Sequence, residues 1–315
     1  MFLARGIAIS LSVFVLVYLG LSLAVCCAWR RLWLYSQKYP VRRSADLLFS
    51  LRVFPVMTAA AVTVAFTVPS FLLLEPRSID EPLGGLPLVL GLCGCVLAGA
   101  GLLNAGAAVM GAWRRIGEWL KEAKLLDTRS LVPILRISRV VPALTAAGIL
   151  RPKVLVSSAA EFVLTEKELQ TALRHELAHV RRRDNLKKLV LRFVAFPGMA
   201  GLERAWLEMT EMAADDAAVS NAAEALDLAA ALIKLSRLAS EPATELTMSL
   251  VHIPAASVNV RVERLIRWSE ERRLPPQRFS AWYVLGTGVA LVAAFGVSYS
   301  QLLMHVHTAT EWLIR

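Results

Sequence analysis

Apolar and polar positions are distributed unevenly along the chain. Residues 6–29, 53–74, 82–113 and 279–310 contain no Asp, Glu, Lys or Arg, and Leu, Val, Ala and Gly predominate in them. A helix needs ~20 apolar residues to cross the hydrocarbon core of a bilayer, and each run can supply them. The next charge-free run, 246–260, is shorter and too polar. The pattern predicts four transmembrane helices, about 7–29, 53–74, 86–111 and 281–304. The first is too long for the ~7–15-residue apolar core of a cleaved signal peptide. Residues 305–315 form a short tail.

Between the third and fourth runs the pattern changes to that of a water-facing domain, 113–280, which is large enough for its own core. Residues 113–126 (WRRIGEWLKEAKLL) read as an amphipathic helix, and Pro133 and Pro142 interrupt the stretch after it. KVLVSS, from Lys153, reads as a strand. TEKE opens at Thr165 as a capping box with Glu168, and a helix from Glu166 to about Phe193 comes next. After an apolar turn, a second helix begins near Glu203 and an Ala-rich one covers about 222–238. The chain is therefore mainly α: a membrane domain over 1–112, an α+β domain over 113–280, and a fourth transmembrane helix.

Composition and charge orient this arrangement. Of the 315 residues 56% are apolar and only 19% charged, and the formal charge is +10. This excludes intrinsic disorder and a disulfide scaffold. The connection 30–52 holds Arg30, Arg31, Lys38, Arg42, Arg43 and Arg52, and 26 further basic residues lie in 113–280. The positive-inside rule, strongest for the short connection, puts both in the cytoplasm. Both termini and the acidic loop 75–85 then face outward, as in a multi-pass protein of a bacterial inner membrane. Topology accounts for the positive charge without direct nucleic-acid binding. Cys26, Cys27, Cys93 and Cys95 fall inside predicted spans and read as small apolar helix residues.

The chemistry centres on HELAH at 175–179. Four residues place His175 and His179 about 40° apart around a helix and ~6 Å along it, so both imidazoles can meet one ion. Neutral imidazole is a good zinc ligand. Glu176 beside them can move a proton between a water and a leaving amine, the logic of H-E-x-x-H. A third ligand should be a carboxylate on another helix. Glu211 leads, with Glu208 three residues earlier as its rival. Asp215, four residues after Glu211, can accept a hydrogen bond from a liganding histidine. Glu203 and Asp216 are expected to face solvent.

Taken together, HELAHVRRRDN, EMAAD beginning 32 residues after His179, the upstream GILRPKVLVSSAAEFVLTEKELQTALR and the downstream VNVRVERLIRW resemble the BlaR/MecR-type membrane metallopeptidases. These are gluzincins, with two His and one Glu on zinc, three spans before the protease domain and one after. The resemblance implies one zinc per chain held by His175, His179 and Glu211, and Glu176 as the catalytic residue. It implies a zinc endopeptidase that relays a signal by cutting a cytoplasmic winged-helix transcriptional repressor, with a second copy or a separate sensor protein as partner. The classical members carry an outward penicillin-binding domain after the last span. Here about eleven residues follow it, so direct β-lactam sensing is not expected.

Several residues are left with two readings. Arg264 is expected to stabilise the oxyanion, with Arg261 as competitor. Arg181, Arg182, Arg183, Lys187 and Lys188 suit either anionic lipid heads or a solvated face, and Asp184 a helix salt bridge. The strand Val154–Ser157 is expected to receive substrate by strand addition, or else to lie in the sheet core. The apolar segment 193–206 is expected at the membrane interface. The alternatives to signalling are membrane-protein quality control of the HtpX kind and a non-proteolytic signalling scaffold; the intact Glu176 argues against the scaffold.

Overall fold

The computed structural model describes residues 2–76, 84–127, 132–138, 143–194, 196–238, 248–249, 255–270, 299 and 301–312. Its contacts divide the chain into two units. One comprises Met1–Trp29, Leu51–Ala100 and Pro275–Arg315, the other Arg30–Ser50 and Gly101–Leu274.

The helices come first along the chain. They are α1 (Phe2–Ser36), α2 (Val41–Val62), a π-helical turn (Thr63–Thr67), α3 (Val68–Leu74) and α4 (Gly85–Leu120). Three stretches, Phe2–Ser36, Val41–Leu74 and Gly85–Leu120, are long and apolar enough to cross a membrane. Each extends past the predicted span, because the flanking basic residues continue the helix beyond the apolar run. Most of the fourth predicted span, 281–304, lies outside the described residues; Tyr299 and 301–312 are helical.

In the first unit α1 and α4 approach closely over small residues. A Cβ on Gly91 would meet Ala8 Cα at 3.4 Å, and Ser12 Oγ donates to the Pro87 carbonyl at 3.0 Å. This is how helices associate where no water drives them together. The π turn has a local cause. Pro69 has no N–H to give the Ala65 carbonyl four residues back, and the Tyr299 hydroxyl donates to that carbonyl at 2.7 Å. Further on, His307 Nδ1 lies 3.9 Å from Glu75, which is itself paired with Arg5 at 3.2 Å. Residues 299–307 therefore run in the same direction as residues 65–75.

The second unit is built on a five-stranded sheet of order β1 (Lys124–Asp127), β2 (Ile134–Ile137), β4 (Lys153–Ser157), β3 (Leu144–Ala147) and β5 (Met248–Ser249). Among the described residues, only the β2–β4 pair is parallel. β4 alternates as a two-faced strand does. Val154 and Val156 join the larger core with Ala172, Leu228, Leu232 and Leu265, whereas Leu155 packs with Ile116, Trp119 and Leu120 at the end of α4. Two expectations change here. The amphipathic helix 113–126 ends at Leu120, and Lys124–Asp127 is a strand paired with β2. The strand Val154–Ser157 is central, with β2 and β3 taking both its edges, so it cannot receive a substrate strand.

Among the described residues, six helices complete this unit: α5 (Ser158–Val163), α6 (Glu166–Arg182), α7 (Asp184–Phe193), α8 (Ala200–Ala218), α9 (Ala222–Leu238) and α10 (Ala255–Glu270). The capping box forms as expected: Thr165 Oγ1 accepts from the Glu168 amide and Glu168 Oε2 from the Thr165 amide. The single helix expected over 166–193 is broken in two. Arg183 adopts the left-handed conformation, φ 54° and ψ 41°, and its amide closes α6 on the carbonyls of His179 and Val180. Glycine usually takes such a position. The break turns Asp184 back toward α6. At its far end α7 meets α4, where a Cβ on Gly101 would lie 2.5 Å from the Phe193 carbonyl oxygen. Only glycine permits that approach, which sets the end of α7 against Gly101 of α4.

Candidate metal centre

His175 and His179 point from adjacent turns of α6 toward α8, which carries Glu211 and Asp215 on one face. All four side chains are buried. His175 Nε2 and His179 Nε2 lie 3.0 Å apart. Glu211 lies across from both, with Oε2 3.5 Å from His175 Nε2 and Oε1 3.6 Å from His179 Nε2. Ligands at ~2.0–2.1 Å from one tetrahedral zinc stand about 3.3 Å from each other, so the three fit the edges of one coordination sphere.

The outer nitrogens strengthen that reading. His175 Nδ1 is 2.9 Å from Asp215 Oδ1, and His179 Nδ1 is 2.9 Å from Asp184 Oδ2. A carboxylate accepts, so the neutral His179 ring carries its proton on Nδ1, and the nearness of Asp215 favours the same tautomer at His175. Both Nε2 lone pairs then face one point in a buried site, an arrangement that calls for a cation. The carboxylates also govern protonation. Burial opposes charge on His175, yet Asp215 and Glu211 outweigh it and raise the imidazole to about 9. Burial likewise opposes charge on Glu211, yet His179, His175 and Arg261 bring its carboxyl down to about 2.

Glu176 is fully buried beside this group. Its Oε2 accepts from the Ala146 amide on β3 at 2.6 Å, and its Oε1 has no hydrogen-bond partner. Burial raises its pKa, against the pull of the two histidines. Asn185 Nδ2 donates to the carbonyls of Ala146 and Gly148, each at 3.0 Å. Both backbone groups of Ala146 are thereby held by the two helices that meet at Arg183.

The arginines divide differently from expectation. Arg264 is not at the centre. Its Nη2 donates to both oxygens of Asp216 at 2.7 Å and its Nη1 to the Met212 carbonyl. Arg261 is the one at the centre, fully buried, bidentate to Asp215 at 2.8 and 2.6 Å and 3.2 Å from Glu211 Oε2. The cause is the 100° step between neighbouring helix positions: Asp215 faces α6 and Asp216 the flank of α8. Asp216 is therefore paired, not merely solvated, and Glu203 is half-buried.

Among the described residues, His175, His179 and Glu211 are brought together as a group that could hold a metal ion, and Glu208 is not part of it. Asn185 is an addition to the sequence reading; Asp184, expected in a helix salt bridge, meets His179, and Arg261, the competitor of Arg264, takes the central place. Lys188 belongs here too: burial lowers its ammonium to about 8, although Glu211 and Asp184 pull the other way. His252 lies outside the described residues, and His305 is exposed.

Residues 138–284, which contain His175, Glu176, His179, Glu211, Asp215 and Arg261, match the model of peptidase family M48. The match supports an M48-type metallopeptidase, and M48 peptidases are zinc-dependent. No curated protein matches the chain.

Proposed function

We propose that this chain is an integral-membrane zinc endopeptidase that works on the cytoplasmic side and relays a signal by cutting a transcriptional repressor. One observation carries the enzymatic part: a buried His175–His179–Glu211 group with both outer histidine nitrogens on carboxylates and an unpartnered Glu176 oxygen beside it. The residues fit zinc. Bound there, zinc supplies Lewis-acid activation of a water and of the scissile carbonyl.

The chain's own residues do the rest. Glu176 takes a proton from the attacking water at Oε1 and delivers it to the leaving amide nitrogen. The Ala146 amide holds the other oxygen and so fixes the direction of Oε1. Asp215 and Asp184 keep the two rings in the tautomer that presents Nε2. Arg261 pairs with Asp215 and Glu211, which keeps both ionised at that depth. Burial excludes bulk water and strengthens each of these interactions.

The signalling part rests on the resemblance of HELAHVRRRDN and EMAAD to the BlaR/MecR type, and on topology. Tyr299 on Ala65 and His307 near Glu75 make the last helical segment run parallel to the second apolar stretch, as four alternating spans require. The M48 match serves a second reading, HtpX-like quality control, equally well. Reporter fusions after Leu120 and Leu238 are expected to read cytoplasmic, and those after Glu75 and at the C-terminus external. Co-expression with a neighbouring winged-helix repressor is expected to yield discrete repressor fragments. Turnover of many misfolded membrane proteins, with the repressor intact, would favour quality control. An external reading after Leu238 would overturn the cytoplasmic assignment.

A further inference from the structure

One face of α2 lies against both of the helices that carry zinc ligands. Asp46 and Phe49 are three residues apart and so share that face. Asp46 Oδ1 accepts from Lys187 Nζ at 3.3 Å and lies 3.7 Å from Arg182 Nη2. The Phe49 ring is 6.0 Å from that of Trp206, which is buried on α8 five residues before Glu211. Lys187 Nζ also sits over the Phe49 ring, 5.5 Å from its centre.

The same two cations face Asp184. Arg182 Nε is 3.5 Å and Lys187 Nζ 3.8 Å from Asp184 Oδ1. That oxygen has no hydrogen-bond partner, and neither does any side-chain nitrogen of Arg182, although both side chains are nine-tenths or more buried. The other oxygen, Oδ2, meets His179 Nδ1. Two cations are therefore shared between two carboxylates by loose ion pairs. Asp184 Oδ1 is left without the close hydrogen bond that would draw its charge away from His179.

We propose that Asp46 of α2 is a positioning residue for His179, acting through Lys187 and Arg182 on Asp184. The proposal rests on the zinc reading and deepens it. Asp46 holds part of the positive charge away from Asp184, so Asp184 stays a strong acceptor for His179 and keeps Nε2 a good donor to metal. Without Asp46, Arg182 and Lys187 close on Asp184 Oδ1 and weaken that support.

Full-length protein in lipid nanodiscs, loaded with Co2+, tests this. Cobalt d–d absorption reports the ligand field at His179, and zinc release to a chelator reports how firmly the metal is held. Asp184→Asn, a direct partner, should speed release by ~10–100-fold. Asp46→Asn should shift the cobalt bands in the same direction and speed release by roughly three- to tenfold, less than a direct partner does. Asp46→Glu should restore both. The double variant should release zinc no faster than Asp184→Asn alone, since one residue acts through the other. Wild-type bands in Asp46→Asn, or effects that multiply in the double variant, would overturn the proposal while leaving the metal centre standing. A wild-type protein that takes up neither metal would overturn both.

Discussion

Glu176→Gln is expected to leave the metal bound and to slow peptide-bond cleavage by ~10²–10⁴-fold, the usual cost of removing a general base. The substitution is nearly isosteric, and the amide oxygen can still accept from the Ala146 N–H that Glu176 Oε2 now engages at 2.6 Å. The site should therefore keep its shape. What is lost is the ability of the other oxygen to take up a proton. None of the three converging donor atoms belongs to Glu176, so zinc content should match that of the wild type. Cleavage of a co-expressed repressor should vanish at ordinary assay times, with normal amounts of protein in the membrane. If that variant cleaves at the wild-type rate with its zinc in place, Glu176 is not the base. A scaffold that signals without proteolysis would retain signalling in Glu176→Gln.

Arg261→Met should produce the largest loss of stability in the domain. The guanidinium is fully buried, makes two hydrogen bonds to Asp215 and lies 3.2 Å from Glu211. Removing it strands two buried carboxylates, and breaking a buried pair by deleting one partner typically costs about 3–5 kcal/mol. The carboxyls of Asp215 and Glu211, both held well below their usual range partly by Arg261, would rise toward protonation. A protonated Glu211 is a poor ligand, so zinc occupancy should fall with stability. Arg264→Met offers the contrast. Its pair with Asp216 is one-fifth to one-quarter exposed and such pairs contribute up to ~1 kcal/mol. Thermal unfolding and zinc content of the two variants side by side would check this. Equal losses would mean that the division between the two arginines is misjudged.

The features legible in the sequence are those that repeat with a period or sit at fixed spacing. Charge-free runs mark the apolar stretches, and the Thr165–Glu168 pair announces the start of α6. The four-residue steps His175–His179 and Glu211–Asp215 put each pair on one face. Features set by tertiary contact are not legible. An arginine at a left-handed helix end carries no local mark, so the stop at Arg183 is invisible, and with it the return of Asp184 to His179. Arg261 and Arg264 are three apart and fall on similar faces of α10; only the facing positions of Asp215 and Asp216 separate them. A strand as apolar as KVLVS can be central or at an edge, and pairing partners distant in sequence decide which. Asp184 has one usable sign, a carboxylate five residues past the second histidine in a run of arginines.

The metal content of the purified full-length chain tests the central claim most directly. Wild-type protein and the Glu208→Ala and Glu176→Gln variants should each hold about one zinc per chain. His175→Ala, His179→Ala and Glu211→Ala should lose most of it. A wild-type protein that binds no zinc under these conditions, or a Glu211→Ala variant that stays full while Glu208→Ala empties, would contradict the assignment of His175, His179 and Glu211 as the metal centre.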